Sequence, residues 1–270
     1  MHLTDRVCVI TGASSGIGRT TAMDLAADGA RICAVARREE RLQELLSALG
    51  GDARGHSYVV CDVSDRDQVR AMAGHVEATY GRCDVLINNA GYGGERGIFE
   101  ASRGVENVEE VMATNFLGAV YCLGELLPLL ERSAPSNVVN VASVAGRMAM
   151  PGASAYCASK FALTGWSEAL HYELSDKGVY VSVVSPGFIP TEGFPQQDLA
   201  RDKVLKHVLG TTSDVSRAIK DAIVNRKLER IVPRWYYALE IPRLLAPPLV
   251  RAVINKGVKK RSISRGRGEN

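Results

Sequence analysis

Apolar residues along this chain gather in short continuous runs, each followed by a longer stretch with helical spacing. Val7–Thr11, Arg31–Ala36, Ser57–Cys61, Asp84–Asn88, Asn137–Ala142, Val179–Val184 and Glu229–Val232 read as seven strands. The spacing predicts helices from the glycines after Thr11 to about Asp28, over Glu39–Leu49, Asp65–Tyr80, Val105–Leu130 and Ala153–Asp176, then near Asp198–Leu209 and Asp214–Asn225. In Glu39–Leu49, the leucines 42, 45, 46 and 49 share one face. Strands that are apolar throughout, rather than alternating, are buried on both faces, as in a parallel sheet between helical layers. Right-handed crossovers then give an α/β fold with a doubly wound parallel sheet of about seven strands and helices on both faces. No internal repeat or linker interrupts the pattern, so residues 1–233 read as one domain and 234–270 as a C-terminal extension.

Composition narrows this picture. The chain has 270 residues, 46% hydrophobic, with a net charge of +3. The charge is uneven: from Arg251 onward seven basic residues face one acidic residue, which leaves the remainder at −3. Six scattered cysteines form no C-x-x-C pair and no metal-ligand spacing, so neither a disulfide framework nor a zinc site is expected, and a reducing, cytoplasmic setting is the simple reading. The first strand begins by Arg6, which leaves no room for a signal peptide, and no run of about 18 apolar residues suggests a membrane span.

Candidate chemistry begins at T-G-A-S-S-G-I-G, residues 11–18, between a strand and a helix. Gly12, Gly16 and Gly18, with Ser14, Ser15 and Ile17 between them, would let a pyrophosphate approach the backbone and the helix N-terminus closely. Their spacing, G-x-x-x-G-x-G, departs from the G-x-G-x-x-G dinucleotide fingerprint. The second strand ends Ala36-Arg37-Arg38, with no acid placed for ribose hydroxyls. Arg37 is therefore expected to bind a 2′-phosphate with Arg38 as helper, so NADP (NADPH) is expected over NAD. Asp62, at the end of the third strand, could accept from an adenine amino group or cap the following helix.

Tyr156 and Lys160 lie four residues apart in Y-C-A-S-K and share a helix face. A nearby ammonium favours the phenolate and so brings a tyrosine pKa down from about 10. With a nucleotide site upstream, that pair reads as hydride transfer with a tyrosine acid/base. No G-x-S-x-G elbow is present to make His171 or His207 part of a hydrolase triad.

From about Arg6 to Val232 the chain resembles the short-chain dehydrogenase/reductase family in its compact single-domain, Rossmann-type form. The matching pieces are T-G-A-S-S-G-I-G, D-V at 62–63, N-N-A-G at 88–91, Asn115, Ser143, Y-C-A-S-K at 156–160 and P-G-F-I-P-T at 186–191. The resemblance implies that Tyr156 is the general acid or base, that Lys160 lowers its pKa and binds the nicotinamide ribose, and that Ser143 donates to the substrate oxygen. It implies that Asn115 holds a water linking Lys160 to solvent. Asp62 and Val63 would sit by the adenine, Asn89, Ala90 and Gly91 along the nucleotide, and Pro186, Gly187, Ile189 and Thr191 by the nicotinamide. A homodimer or homotetramer is also implied, through the helices near 105–130 and 153–176. The competing reading is a catalytically silent regulator that binds NADP(H), for which Asn115, Ser143, Tyr156 and Lys160 would be superfluous.

Residues 187–212 are expected to form a lid. Tyr92, Met148–Met150, Phe188 and Phe194 are candidate walls of an apolar pocket, which suits a small-molecule ketone, aldehyde or alcohol of steroid-, retinoid- or acyl-like character. Segment Trp235–Ile254 is apolar with basic flanks. That pattern suits peripheral contact with an anionic membrane, although a pocket cover or a subunit contact is preferred. The basic tail lacks any nucleic-acid recognition module, so no nucleic-acid partner is expected.

Overall fold

Strands β1 (Val7–Thr11), β2 (Arg31–Ala36), β3 (Ser57–Val60), β4 (Val85–Asn88), β5 (Ser136–Val141), β6 (Val179–Pro186) and β7 (Glu229–Val232) form one sheet in the order β3-β2-β1-β4-β5-β6-β7. Every neighbouring pair is parallel. This computed structural model describes residues 2–95, 97, 99, 103–192, 209–238, 241 and 245–252. The helices are α1 (Gly16–Ala27), α2 (Glu39–Leu49), α3 (Arg66–Tyr80), α4 (Val105–Met112), α5 (Gly118–Arg132), α6 (Ser154–Leu174) and α7 (Thr212–Asn225). The helix expected near Asp198–Leu209 falls, all but Leu209, outside the described residues.

Both faces of the sheet are buried, as its apolar strands require. Along β1 and β2, Cys8, Ile10, Ile32 and Ala34 pack with Leu25 of α1, Leu42 and Leu45 of α2 and Ile219 of α7. The alternate residues Val9, Cys33 and Val35 pack on the opposite side with Met72 of α3, Leu126 of α5 and Leu174 of α6. Strand β6 runs to Pro186, two residues past the expected end, because Val183–Pro186 pair with Glu229–Val232 of β7.

The stretch Val105–Arg132 differs from the single regular helix that its spacing predicts. A π turn, Ala113–Leu117, joins α4 to α5, with the Gly118 N–H bonded to the Ala113 carbonyl. By length and composition the stretch could cross a membrane, with a mean hydropathy of 1.4 over its best 18-residue window, where the sequence reading expected no such run. Cys122, Leu126 and Leu130 are instead buried in the layer shared with α3 and the sheet.

The first compact unit ends at Pro233, and a second begins at Arg234. Within the second, the Trp235 and Tyr236 rings stack at 4.1 Å, and Ile241, Leu245 and Leu249 are exposed.

At the N-terminal end of the central strands, the fully buried Asp84 carboxylate accepts from Arg6 Nη1 (2.6 Å), Arg82 Nη2 (2.6 Å) and Nε (2.8 Å), and the Val7 N–H (2.9 Å). Burial alone would raise its pKa. The hydrogen bonds from Arg82, Val7 and Arg6 outweigh burial and hold it below the usual carboxylate range. The resulting stabilisation is complete above that ordinary range and is lost as pH falls through the lowered native value. Asp84→Asn should therefore cost about 3 kcal/mol at neutral pH and flatten the acid limb of stability, as measured by urea unfolding across pH.

Candidate active site

The two central strands separate at their carboxyl ends, and the cleft opens where the strand order reverses. After β1 the chain runs into the turn 12–15 and α1; after β4 it enters Asn89–Gly91. This switch point is where open α/β sheets bind ligands. Gly12 has φ +67°, a left-handed conformation that side chains disfavour. A Cβ at Gly18 would lie 2.4 Å from the Gly12 carbonyl oxygen and 2.6 Å from Asn89 Nδ2, so only glycine lets α1 start so close to the strand ends. Ser15, the N-cap of α1, makes no side-chain cap. Its hydroxyl accepts instead from Arg38 Nη2 at 2.8 Å.

A cavity of about 390 Å³ runs along this cleft, a size suited to a small-molecule cofactor. It is lined by every catalytic or cofactor-binding candidate named from the sequence except Gly18 and Asn115, which lie just behind its wall. The glycine cradle, an uncapped helix start and two arginines fit a phosphate-bearing nucleotide.

At one end of the cavity Arg37 is exposed and sits 3.5 Å from Asp62 Oδ2. Arg38 reaches across the turn to Ser14 and Ser15. Asp62 does not cap the following helix: Asp65 accepts from the Asp67 and Gln68 N–H groups, whereas Asp62 bonds the Ser64 N–H and hydroxyl.

At the other end, α6 carries Tyr156 and Lys160. Lys160 is buried, and its Nζ donates to the Val141 carbonyl at 2.8 Å while standing 5.8 Å from the centre of the Tyr156 ring. Burial lowers its pKa to about 8. Ser143 follows β5. Its hydroxyl accepts from the Ala145 N–H at 3.1 Å and donates over a long 3.4 Å to the Pro186 carbonyl.

Asn115 occupies the π turn and is buried, unlike an ordinary polar helix residue. Its amide brackets Tyr92, accepting from the Tyr92 N–H at 3.0 Å and donating to the Tyr92 carbonyl at 2.9 Å. It also donates to Ser159 Oγ at 3.0 Å, and Ser159 donates to the Tyr156 carbonyl at 2.8 Å. A widened turn at a functional position is a recurrent device.

Of the proposed apolar walls, Tyr92, Met150 and Phe188 line the cavity; Met148 and Ala149 do not, and Phe194 lies outside the described residues. Most of the expected lid is likewise outside them. Several contributors were given no role from the sequence: Ser159, although it lies inside Y-C-A-S-K, the Val141 carbonyl, Glu192 at the cavity edge and Gly146. A Cβ at Gly146 would come within 2.5 Å of the Lys160 carbonyl oxygen, so this glycine sets how closely α6 packs on the turn after β5. Among the described residues no cluster could hold a metal ion, and all six cysteines are free and buried.

Comparison with known proteins gives consistent matches. A family model described as short chain dehydrogenase matches residues 6–201. A 3beta-hydroxysteroid dehydrogenase of Mediterraneibacter gnavus is 31% identical over 84% of this chain and 82% of its own length. A D-threitol dehydrogenase of Mycolicibacterium smegmatis is 36% identical over 78% of this chain and 80% of its own. The solved structure of ElxO with NADP bound superposes with a TM-score of 0.78 at 24% identity, covering 87% of this chain and all of that one, and so shares the fold.

The depressed lysine has a measurable consequence. Between pH of about 8 and 10.5 the unfolded chain binds a proton at Lys160 that the folded one does not, so stability rises with pH across that window. Lys160→Met should remove this rise in thermal or urea unfolding of the nucleotide-free protein.

Proposed function

The chain belongs to the short-chain dehydrogenase family and is an oxidoreductase of hydroxy and keto groups; from that premise we propose an NADP(H)-dependent enzyme that uses Tyr156 as its acid/base. The observation that carries this reading is the buried ammonium of Lys160, held on the Val141 carbonyl beside the Tyr156 ring.

A nicotinamide dinucleotide supplies or accepts the hydride when bound. The protein then manages charge on the substrate oxygen. Ser143 is held by only one short hydrogen bond, so its hydroxyl can turn from the long Pro186 contact to donate to that oxygen. Tyr156 donates to the same atom and passes its proton in reduction, or removes one in oxidation. Donors fixed in advance stabilise developing negative charge at no cost in reorganisation. Lys160, with a pKa of about 8, is mostly protonated at neutral pH and favours the phenolate. Asn115 ties the Tyr92 backbone to α6 through Ser159, and the widened turn it sits in would hold the water that resupplies protons.

Gly12, Ser14, Ser15, Gly16 and Ile17 would cradle the pyrophosphate, with Gly18 permitting the close approach of α1. Arg37 and Arg38 would take the 2′-phosphate, Asp62 and Val63 the adenine, and Asn89, Ala90 and Gly91 the middle of the nucleotide. Pro186, Gly187, Ile189 and Thr191 would flank the nicotinamide. Tyr92, Met150 and Phe188 support a lipophilic carbonyl or secondary alcohol as substrate. Residues 1–233 would form the catalytic domain and 234–270 an extension to it. Exposed Leu117 and Tyr172 support self-association through the helices that carry them.

Tyr156→Phe should retain NADPH affinity and lose turnover by about 10²-fold or more; full activity in that variant would remove Tyr156 from its role. Fluorescence titration with NADPH and NADH tests the cofactor: tighter NADPH binding is expected, and a preference for NADH overturns the arginine assignment.

A further inference from the structure

Every kind of nitrogen on the Arg38 guanidinium is engaged. Nε and Nη2 donate to Ser14 Oγ at 3.3 and 3.1 Å, and Nη2 also donates to Ser15 Oγ at 2.8 Å. Nη1 pairs with Glu192 Oε1 at 2.7 Å. Glu192 belongs to the opposite wall of the cleft, in the segment that follows β6. Its neighbour Thr191 faces the glycine turn so closely that a Cβ at Gly16 would lie 3.2 Å from the threonine side chain. The Arg38–Glu192 pair therefore bridges the two walls of the cavity, and a carboxylate stands among groups otherwise suited to an anion.

We propose that Glu192 sets the nucleotide preference of this site, as a displaceable counter-ion that competes with a 2′-phosphate for Arg38. The proposal rests on the reading that Arg37 and Arg38 receive that phosphate. The two serines already hold the guanidinium in place, so a phosphate meets a preorganised partner. It also meets the negative charge of Glu192. The ion pair is weak enough to open, because both side chains are about half exposed, at 45% and 55%. A dinucleotide with a free 2′-hydroxyl carries the same pyrophosphate, which both cofactors bring to the glycine turn, but no 2′-phosphate to compete with Glu192 for Arg38. Glu192 thus lowers affinity for the 2′-phosphorylated dinucleotide relative to the one with a free 2′-hydroxyl, which limits how far the site can favour NADPH.

The test measures dissociation constants for NADPH, NADH, 2′,5′-ADP and 5′-AMP by calorimetry, in the wild type, Glu192→Gln, Arg38→Gln and the double variant. Glu192→Gln should bind NADPH and 2′,5′-ADP about five-fold more tightly, bind NADH and 5′-AMP as the wild type does, and lose its advantage at high salt. In the Arg38→Gln background the same change should have no effect. An equal change for both members of each ligand pair, or a gain that persists without Arg38, overturns the proposal. A wild type that prefers NADH overturns the cofactor reading. The 2′,5′-ADP to 5′-AMP ratio still judges Glu192 in that case: a shift in Glu192→Gln supports its role, and no shift overturns it.

Discussion

Two hydrogen-bonded neighbours, β1 and β4, must part to make a cleft without exposing unsatisfied backbone, and one buried hydroxyl makes this possible. Thr11 Oγ1 donates to the Ile87 carbonyl at 3.3 Å and accepts from the Asn89 and Ala90 N–H groups at 3.0 and 3.1 Å. Asn89 answers with its own amide, donating to the Thr11 and Gly12 carbonyls at 3.0 and 3.3 Å. Side chains thus take over the ladder where the strands diverge, as buried backbone groups demand. The glycine turn on one side and Asn89–Gly91 on the other both hang from this junction. Their approach leaves no room for a side chain at Gly18.

The reactive end of the cavity is organised around a different cost. Taking an ammonium out of water is expensive even with a partner, and the single carbonyl of Val141 does not repay it fully: burial still lowers the pKa of Lys160 to about 8. The surroundings hold the lysine there nevertheless. Gly146 lets the turn after β5 press against the backbone of α6, and Gly91 leaves space beside Lys160 Nζ and the Asn115 amide. The π turn then places Asn115 to tie this segment to Ser159. A widened helical turn and a desolvated charge gathered at one spot are the usual mark of chemistry rather than of packing.

The fold was largely legible in the chain, because continuous apolar runs separated by helical spacing have few other solutions. The ends of β1, β2 and β7 coincide with the expected ones, and others shift by a residue or two where pairing, as between β6 and β7, extends a strand beyond its apolar run. Local motifs such as the glycine turn were equally readable, since backbone geometry restricts the residue type. What the sequence concealed is tertiary. A π turn has no composition of its own, so Val105–Leu130 read as one regular helix. The Val141 contribution is a carbonyl, which any residue would supply. Ser159 and Gly146 are common residues whose meaning comes from what lies opposite them. Glu192 pairs with a residue 154 positions away, a contact that no local pattern encodes.

The six cysteines, which take no part in the cavity's proposed chemistry, equip the molecule in another way. Each is buried, and none is bonded to another. Burial drives the thiol pKa of Cys33 to about 12 and of Cys61 to about 11, so the nucleophilic thiolate is scarce as well as shielded. Cys8, Cys33, Cys61 and Cys83 sit in or beside the first four strands, whereas Cys122 and Cys157 lie on the α5 and α6 helices. Cys61 lines the cleft, but alkylation of the other five by a small reagent requires the interior to open, and the order in which those sites are modified is a record of which part of the molecule loosens first. The native chain carries its own distributed clock for local unfolding, with no label to engineer.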